Sequence, residues 1–392
     1  MMLKNKNSGV LPTKQFEYLL RSALLSGSDA IEAWKNWNET MPDIDRLDGR
    51  SYQLFPLLYR NLERQGIKDQ VPSKLKSVYA YHWAKNNTAL RHLKSLLEGF
   101  NSAGIKTLVL KGAALTPLYY EDVGTRVMGD FDILVPMQDF QKAAAFLKSQ
   151  DWIAQKNPER FDPRFSHSIA FNASKGVAVK NFEIDLHCHA LYEACDPVAD
   201  GLFWERSLPF IFQGVETRVL CPTDQLLHVC VHGIKKEWGD GHYKWIPDAM
   251  MILRHDGEKI EWDRLVRMAT TLGVAPMLTI ALSYLNKLMD ADIPLEVIAR
   301  LDSAKISNIQ RLRCKMDLID LRTNPIALVK WHWCIYSQGI KEVSLFKRFV
   351  RLPEYLKYLV QTNNVFKLSI IFPYRLLKLF CRQIVNRVSQ KA

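Results

Sequence analysis

The chain has 392 residues, 48% of them hydrophobic and 24% charged, a globular composition that excludes a disordered, collagen-like or low-complexity protein. Seven scattered cysteines, never spaced as C-x-x-C, point to reduced thiols in a cytoplasmic protein and away from a disulfide framework or a zinc site. The net charge of +12 is concentrated, since residues 341–392 carry eleven Lys and Arg against two Glu, a balance of +9 that leaves +3 for everything upstream. The first residues are basic and polar without the apolar core of a signal peptide. No run reaches the roughly 20 apolar residues of a spanning helix, the best, "LSIIFPY", being cut off by Lys367 and Arg375.

In chain order, apolar residues recur at helical spacing in "FEYLLRSALL" and "SYQLFPLLYRNLERQG", with Gly66 and Pro72 as stops, which predicts a helical N-terminal region over 1–98. The texture changes at "AGIKTLVLKG". "TLVL" is a β-prone run, "AALTPLYY" can start a helix, and "FDILVP" is a second strand closed by Pro136. "MQDFQKAAAFLKSQ" reads as an amphipathic helix, and after a loop-rich stretch with Pro158, Pro163 and Gly176 a third strand follows in "FEIDLHCHAL". These make an α+β core over 99–220. Helical periodicity returns in "PTDQLLHVCVHGIKKEW", "WIPDAMMILRH", "EWDRLVRMATTLG" and "PMLTIALSYLNKLM", a helical domain over 221–325, before a basic amphipathic helical tail over 326–392.

The second strand carries the chemistry. Strand side chains alternate, so Asp130 and Asp132 share one face, roughly 7 Å apart at their bases, while Phe131 and Ile133 point into a core. Two such carboxylates suit hard divalent cations, and paired ions stabilise the attacking and leaving oxygens of a displacement at phosphorus. An isolated G-D-x-D reads more readily as a turn cap and a solvated edge; its neighbours shift the balance. Upstream, a strand runs into Lys111 and Gly112 and then a helix start, a place where backbone N–H groups receive phosphate. There is no G-x-x-x-x-G-K-[ST], which excludes a P-loop enzyme. Arg126 either grips a phosphate oxygen or pairs at the surface with Glu121 or Asp122. Downstream, Glu183, Asp185, His187 and His189 alternate on one face of the third strand. Asp185 is favoured over Glu183 as a third carboxylate, and His187 is a ligand, a base, a phosphate contact or a hydrogen-bonded structural residue. The H-C-H triplet is a poor zinc site, because its spacing supplies no partners.

Together these residues resemble the nucleotidyltransferase superfamily that includes DNA polymerase beta, and within it the bacterial "uncharacterised nucleotidyltransferase" family found near polysaccharide and peptide-modification genes. The resemblance rests on Lys111, Gly112, Ala113, Ala114 and Leu115 with Tyr119, on the run from Arg126 through Gly129, Asp130 and Asp132 to Val135, and on Asp185, Leu186 and His187. It continues in Val231 and His232 and in Trp245 to Asp248, spanning about Leu57 to Gly273. It implies a small mixed-sheet nucleotidyltransferase core flanked by helical regions. It also implies that Asp130, Asp132 and Asp185 are the catalytic, Mg²⁺-binding acids, with Mn²⁺ as a substitute ion. Gly112 with its flanking amides, including Ala113, receives the nucleoside triphosphate, such as ATP, with Lys111, Arg126 and Gly129 alongside; His187, His232 and Asp248 close the acceptor side. Asp248 reads equally as one partner of a buried ion pair. Three departures stand out: Ala113 follows the glycine where the superfamily has Gly-Ser or Gly-Gly, the gap from turn to first Asp is long, and Asp185 stands where the family more often has Glu.

The expected activity is metal-dependent transfer of a nucleoside monophosphate from an NTP to a hydroxyl of an unknown acceptor (small molecule, glycan- or lipid-linked precursor, or protein), with release of pyrophosphate. The alternatives are a catalytically inactive nucleotide-binding or antitoxin-like module and a membrane-peripheral scaffold. The tail reads first as a helical cover with snorkelling Lys and Arg, next as a peripheral contact with the inner face of the membrane, and last as a nucleic-acid contact.

Overall fold

The computed structural model describes residues 11–40, 44, 47–67, 71–174, 182–236, 243–340 and 345–360. Four helices open the chain: α1 (Lys14–Leu24), α2 (Gly27–Thr40), α3 (Gly49–Arg64) and α4 (Ser73–Ser102). Thr13 and Asp48 cap α1 and α3 by accepting first-turn backbone N–H groups. The sheet region follows with β1 (Leu108–Leu110), α5 (Lys111–Tyr119), β2 (Asp130–Leu134), α6 (Phe140–Ser149), β3 (Trp152–Ala154), β4 (Ser168–Ala173) and β5 (Glu183–His187). It continues with α7 (Pro197–Arg206), β6 (Leu208–Phe212) and β7 (Val215–Val219). The chain then returns to helices: α8 (Pro222–Gly233), α9 (Trp245–Asp256), α10 (Trp262–Thr271), α11 (Ala275–Leu288) and α12 (Leu295–Asp302). The last described are α13 (Asn308–Asp317), α14 (Pro325–Ile340) and α15 (Leu345–Val360).

The fold is α+β, and the sheet among the described residues is mixed, with strand order β3-β4-β5-β2-β1-β7-β6. At its centre β2 runs parallel to β5 and antiparallel to β1. The expected strands correspond to β1, β2 and β5; β3, β4, β6 and β7 are additional. Alternation gives the central strands two different faces. Val109, Phe131, Ile133, Ile184 and Leu186 pack into a core with Leu93 and Leu97 of α4 and Phe140 and Leu147 of α6. The opposite face carries the acidic residues.

A second core joins the two helical ends of the chain. Phe16, Leu20 and Phe55 from the opening helices share it with Leu227, Ile246, Leu278 and Leu282 from α8, α9 and α11. Phe16 meets Tyr243 ring to ring at 4.8 Å, and Arg21 donates to the carbonyl of Leu288 at 2.8 Å. In the tail region, Tyr355 of α15 is buried edge-on against Phe165 with ring centroids 4.8 Å apart. Residues 341–344 and 361–392 of the expected amphipathic tail lie outside the described residues. Among those described, no helix is long and apolar enough to cross a membrane.

One ion pair ties the sheet region to α9. The buried Arg126 guanidinium donates from Nε and Nη2 to the two oxygens of Asp248, each at 2.7 Å, and Tyr120 donates its hydroxyl to Asp248 Oδ1 at 2.7 Å. Removing one partner of such a pair leaves an uncompensated buried charge. Asp248→Ala is therefore expected to cost about 3–5 kcal/mol of stability. Urea denaturation with an unchanged m-value checks this, and a loss under about 1 kcal/mol would show the pair to be dispensable.

Candidate active site

The site is built on the register of β2 and β5. Asp130 lies opposite Glu183, Asp132 opposite Asp185, and Leu134 opposite His187, so the ladder alternates acidic rungs with the apolar pair Phe131 and Ile184 turned to the other face. Asp132 is only 1% exposed, yet it is paired twice: Lys111 Nζ donates to its Oδ1 at 2.5 Å, and His187 Nε2 faces the same oxygen at 3.1 Å. His187 Nε2 also lies 3.1 Å from Asp185 Oδ2. Burial pushes the Asp132 carboxyl up, but Lys111 and His187 outweigh it and hold it at about 2. Asp185 is held down in the same way, by His187, Lys111 and a hydrogen bond from Ser168, against its own burial. Burial works against charge on His187 too, yet Asp185 and Asp132 raise its imidazole to about 9.

The turn before α5 brings the cations. Lys111 sits in the left-handed region at φ 45, a conformation costing a non-glycine residue of order 1 kcal/mol. Leu110, the N-cap of α5, offers no side-chain hydrogen bond, which leaves the first-turn amides without a cap. A Cβ on Gly112 would lie 2.2 Å from Arg126 Nη1, so only glycine fits beneath that guanidinium. The loop holding Arg126 is fixed from α4, where Asn86 Nδ2 donates to the carbonyls of Val123 and Arg126 at 2.6 and 2.8 Å. Neither surface partner expected for Arg126 is used, because Glu121 pairs with Arg64 and Asp122 accepts from Tyr79.

Lys111, Gly112, Arg126, Gly129, Asp130, Glu183, His232, Lys244, Trp245 and Asp248 line a cleft of about 360 Å³. Two other cavities, of about 300 and 370 Å³, lie among helices away from the acidic strands. The predicted residues Lys111, Gly112, Arg126, Gly129, Asp130, His232 and Asp248 thus meet in one cleft. Asp132, Asp185 and His187 sit behind it on the same ladder. Ala113 turns its side chain into the sheet core. His189 leaves the ladder altogether, holding Asp200 at 2.5 Å and the carbonyl of Pro163 at 2.9 Å. Lys244 was not singled out from sequence, nor was His167, which stacks edge-on against His187 with centroids 5.0 Å apart. Neither sits in a periodic pattern or recognisable spacing that would have marked it.

Residues 49–290, more than half of the chain, match the family described as "Uncharacterised nucleotidyltransferase". The chain belongs to that family. A solved structure similar to this nucleotidyltransferase-family chain is the crystal structure of an antigenic nucleotidyltransferase-like protein from Paracoccidioides brasiliensis. It shares 15% identity and has a TM-score of 0.33, covering 56% of this chain and 93% of that one. No curated protein matches.

Members of nucleotidyltransferase families usually use a divalent metal, and the donor set of this member fits one. Asp130 forms no ion pair among the described residues, and the charge on Asp132, followed by burial, pushes its carboxyl up. That repulsion is what a cation between the acidic rungs relieves. In metal-free protein the counter-charges come from Lys111 and His187. Because the folded state raises His187 from 6.5 to about 9, its contribution to stability is complete below pH 6.5 and lost as pH rises through 9. The urea midpoint of metal-free protein should therefore fall across that interval, and His187→Gln should flatten the fall; an equal slope in both would refute this role for His187.

Proposed function

We propose that this chain is a metal-dependent nucleotidyltransferase that moves a nucleoside monophosphate from a nucleoside triphosphate such as ATP to an acceptor hydroxyl, releasing pyrophosphate. The observation that carries the reading is the β2–β5 register, which puts Asp132 beside Asp185 on the face of Asp130, next to an uncapped helix start at Gly112. Asp130, Asp132 and Asp185 would hold Mg²⁺ or Mn²⁺, which supplies charge neutralisation at the reacting phosphorus and the leaving pyrophosphate.

The chain's own residues do the positioning. Gly112 lets the backbone approach the phosphates, and the first-turn amides of Gly112 and Ala113 donate to them. Lys111, Lys244 and the Nη1 end of Arg126 put positive charge on the cleft walls against a triphosphate. Asp248 holds Arg126 over Gly112, and Gly129 lines the cleft beside Asp130 with open space around it. His187 orients Asp132 and Asp185. On the acceptor side, burial and the nearby Lys111 and Lys235 keep the His232 imidazole neutral. It hydrogen-bonds the acceptor hydroxyl, and as that oxygen bonds to the α-phosphorus and the bond to the β-phosphate oxygen breaks, the hydroxyl proton passes to solvent water, because an imidazole whose charged form is so disfavoured is a poor base. The acceptor is a small molecule, a glycan- or lipid-linked precursor, or a protein. A cytoplasmic chain whose basic tail rests on an anionic membrane fits the lipid-linked case.

Incubation with α-labelled nucleoside triphosphates and Mg²⁺ or Mn²⁺, alone and with cell extract, tests the reading. Asp130→Asn and Asp132→Asn should each lower transfer by at least about a thousandfold, the equivalent of several kcal/mol of lost charge stabilisation; the melting temperature should change little for the exposed Asp130 and fall for the buried Asp132, whose loss leaves Lys111 and His187 without their partner. Lys244→Gln should raise KM for the triphosphate about tenfold, as loss of one charged contact does. Undiminished transfer in both aspartate variants would overturn the assignment, and nucleotide binding without product would favour the inactive binding module.

A further inference from the structure

We propose that His167, His187 and Asp185, with Asp132 alongside, form a mixed nitrogen–oxygen site for a divalent transition-metal ion of the Mn²⁺, Co²⁺ or Zn²⁺ class at the inner end of the acidic ladder. One ligand atom from each of His167, Asp185 and His187 lies within 4.8 Å of the others. The hydrogen bonds around them are what an ion would organise. His187 Nδ1 lies 3.3 Å from the carbonyl oxygen of His189, and a carbonyl only accepts, so Nδ1 carries the hydrogen. A metal-bound histidine is typically held this way, by its other ring N–H on a backbone carbonyl. Nε2 is then the lone-pair end of the neutral ring, yet it faces two carboxylate oxygens, Asp132 Oδ1 and Asp185 Oδ2, each at 3.1 Å. Three acceptors converge, and something positive must lie among them: a second ring proton or a metal ion.

His167 favours the ion. Its Nδ1 is buried without a hydrogen-bond partner, a condition that costs about 1–3 kcal/mol and that a proton on His187 does nothing to relieve. An ion among the three side chains takes one ring nitrogen of His167 as well as the Nε2 of His187. Imidazole nitrogen beside carboxylate suits Mn²⁺, Co²⁺ or Zn²⁺, whereas Mg²⁺ prefers oxygen alone. His167 is partly exposed, which gives an ion a way in, and Ser168 supports both sides, 3.4 Å from His167 Nε2 and hydrogen-bonded to Asp185. The catalytic consequence rests on the proposed transferase reading, because Asp132 and Asp185 belong to both sites; the binding itself does not.

Metal-free protein titrated with Co²⁺, followed by calorimetry and by the visible ligand-field spectrum, tests the site without any turnover. Wild type should bind Co²⁺ with a spectrum characteristic of nitrogen ligands and keep it in the presence of excess Mg²⁺. His167→Ala should lose more than about a hundredfold in affinity, beyond the 10–100-fold that an outer-shell partner contributes. Asp130→Asn should bind as wild type does, even though it abolishes transfer on the reading above. Equal affinity in His167→Ala, or an all-oxygen spectrum in wild type, would overturn the site. Should His167→Ala misfold, pulsed EPR of Mn²⁺ bound to wild type counts the coupled imidazole nitrogens directly, and no nitrogen coupling overturns the proposal. Co²⁺ binding as expected with no transfer of labelled nucleotide would keep this site and discard the transferase reading.

Discussion

The cleft depends on the repulsion between carboxylates placed on adjacent rungs of two parallel strands. Strands lie about 4.8 Å apart, and two unit charges near that distance repel by about 3 kcal/mol at the effective dielectric of a protein. Burying Asp132 to 1% exposure makes that charge harder to leave uncompensated. The protein answers with Lys111 and His187, both in contact with Asp132. Lys111 reaches it from a left-handed backbone conformation at the β1–α5 turn. The same turn starts α5 without a side-chain cap, so one local distortion supplies the countercharge and exposes the amides.

The helices give the cleft its second wall. They converge because the chain's two helical ends share one core, with Phe16 against Tyr243 at the entrance to α9. Within that frame the Arg126–Asp248 pair carries information between layers: it sets the guanidinium over Gly112 and, through Tyr120, fixes the end of α5. A buried pair of this kind is weak evidence for net stability, since well-packed apolar residues often do as well. Its value here is placement. It leaves Nη1 of Arg126 above the glycine turn while Lys111 and Lys244 border the same cleft.

How much of this was legible in the sequence follows from how local each signal is. β1, β2 and β5 were readable because each is a short apolar run, two of them with acidic residues alternating every second position. β3 and β6 were missed for a physical reason: both are edge strands, β3 exposing Ile153 where the equally short β1 is buried throughout, and β6 containing Pro209 and exposing Leu208 and Ile211. Missing β4 mattered more, because Ser168 pairs with His187 at its start and carries His167 to the acidic ladder. The Arg126–Asp248 contact joins residues 122 positions apart, and nothing local in either segment specifies the other. Sequence reasoning could name two possible roles for each, and only the packing of α9 on the sheet region decides which is realised.

Lys111 connects the metal-free fold to the proposed chemistry. Its ammonium lies on Asp132 while its residue lines the cleft, so a single charge is within reach of both the carboxylates and an incoming phosphate. Asp132, Asp130 and Asp185 all favour its charged form against the cost of burial. A divalent ion bound by those carboxylates carries twice the charge and takes over their compensation, which makes the lysine's charge redundant there. The triphosphate then offers the nearest uncompensated negative charge. On this view Lys111 holds the acidic rungs together before the ion arrives and serves the substrate afterwards, and a long, flexible ammonium suits that exchange better than the planar guanidinium that Asp248 holds in place at Arg126.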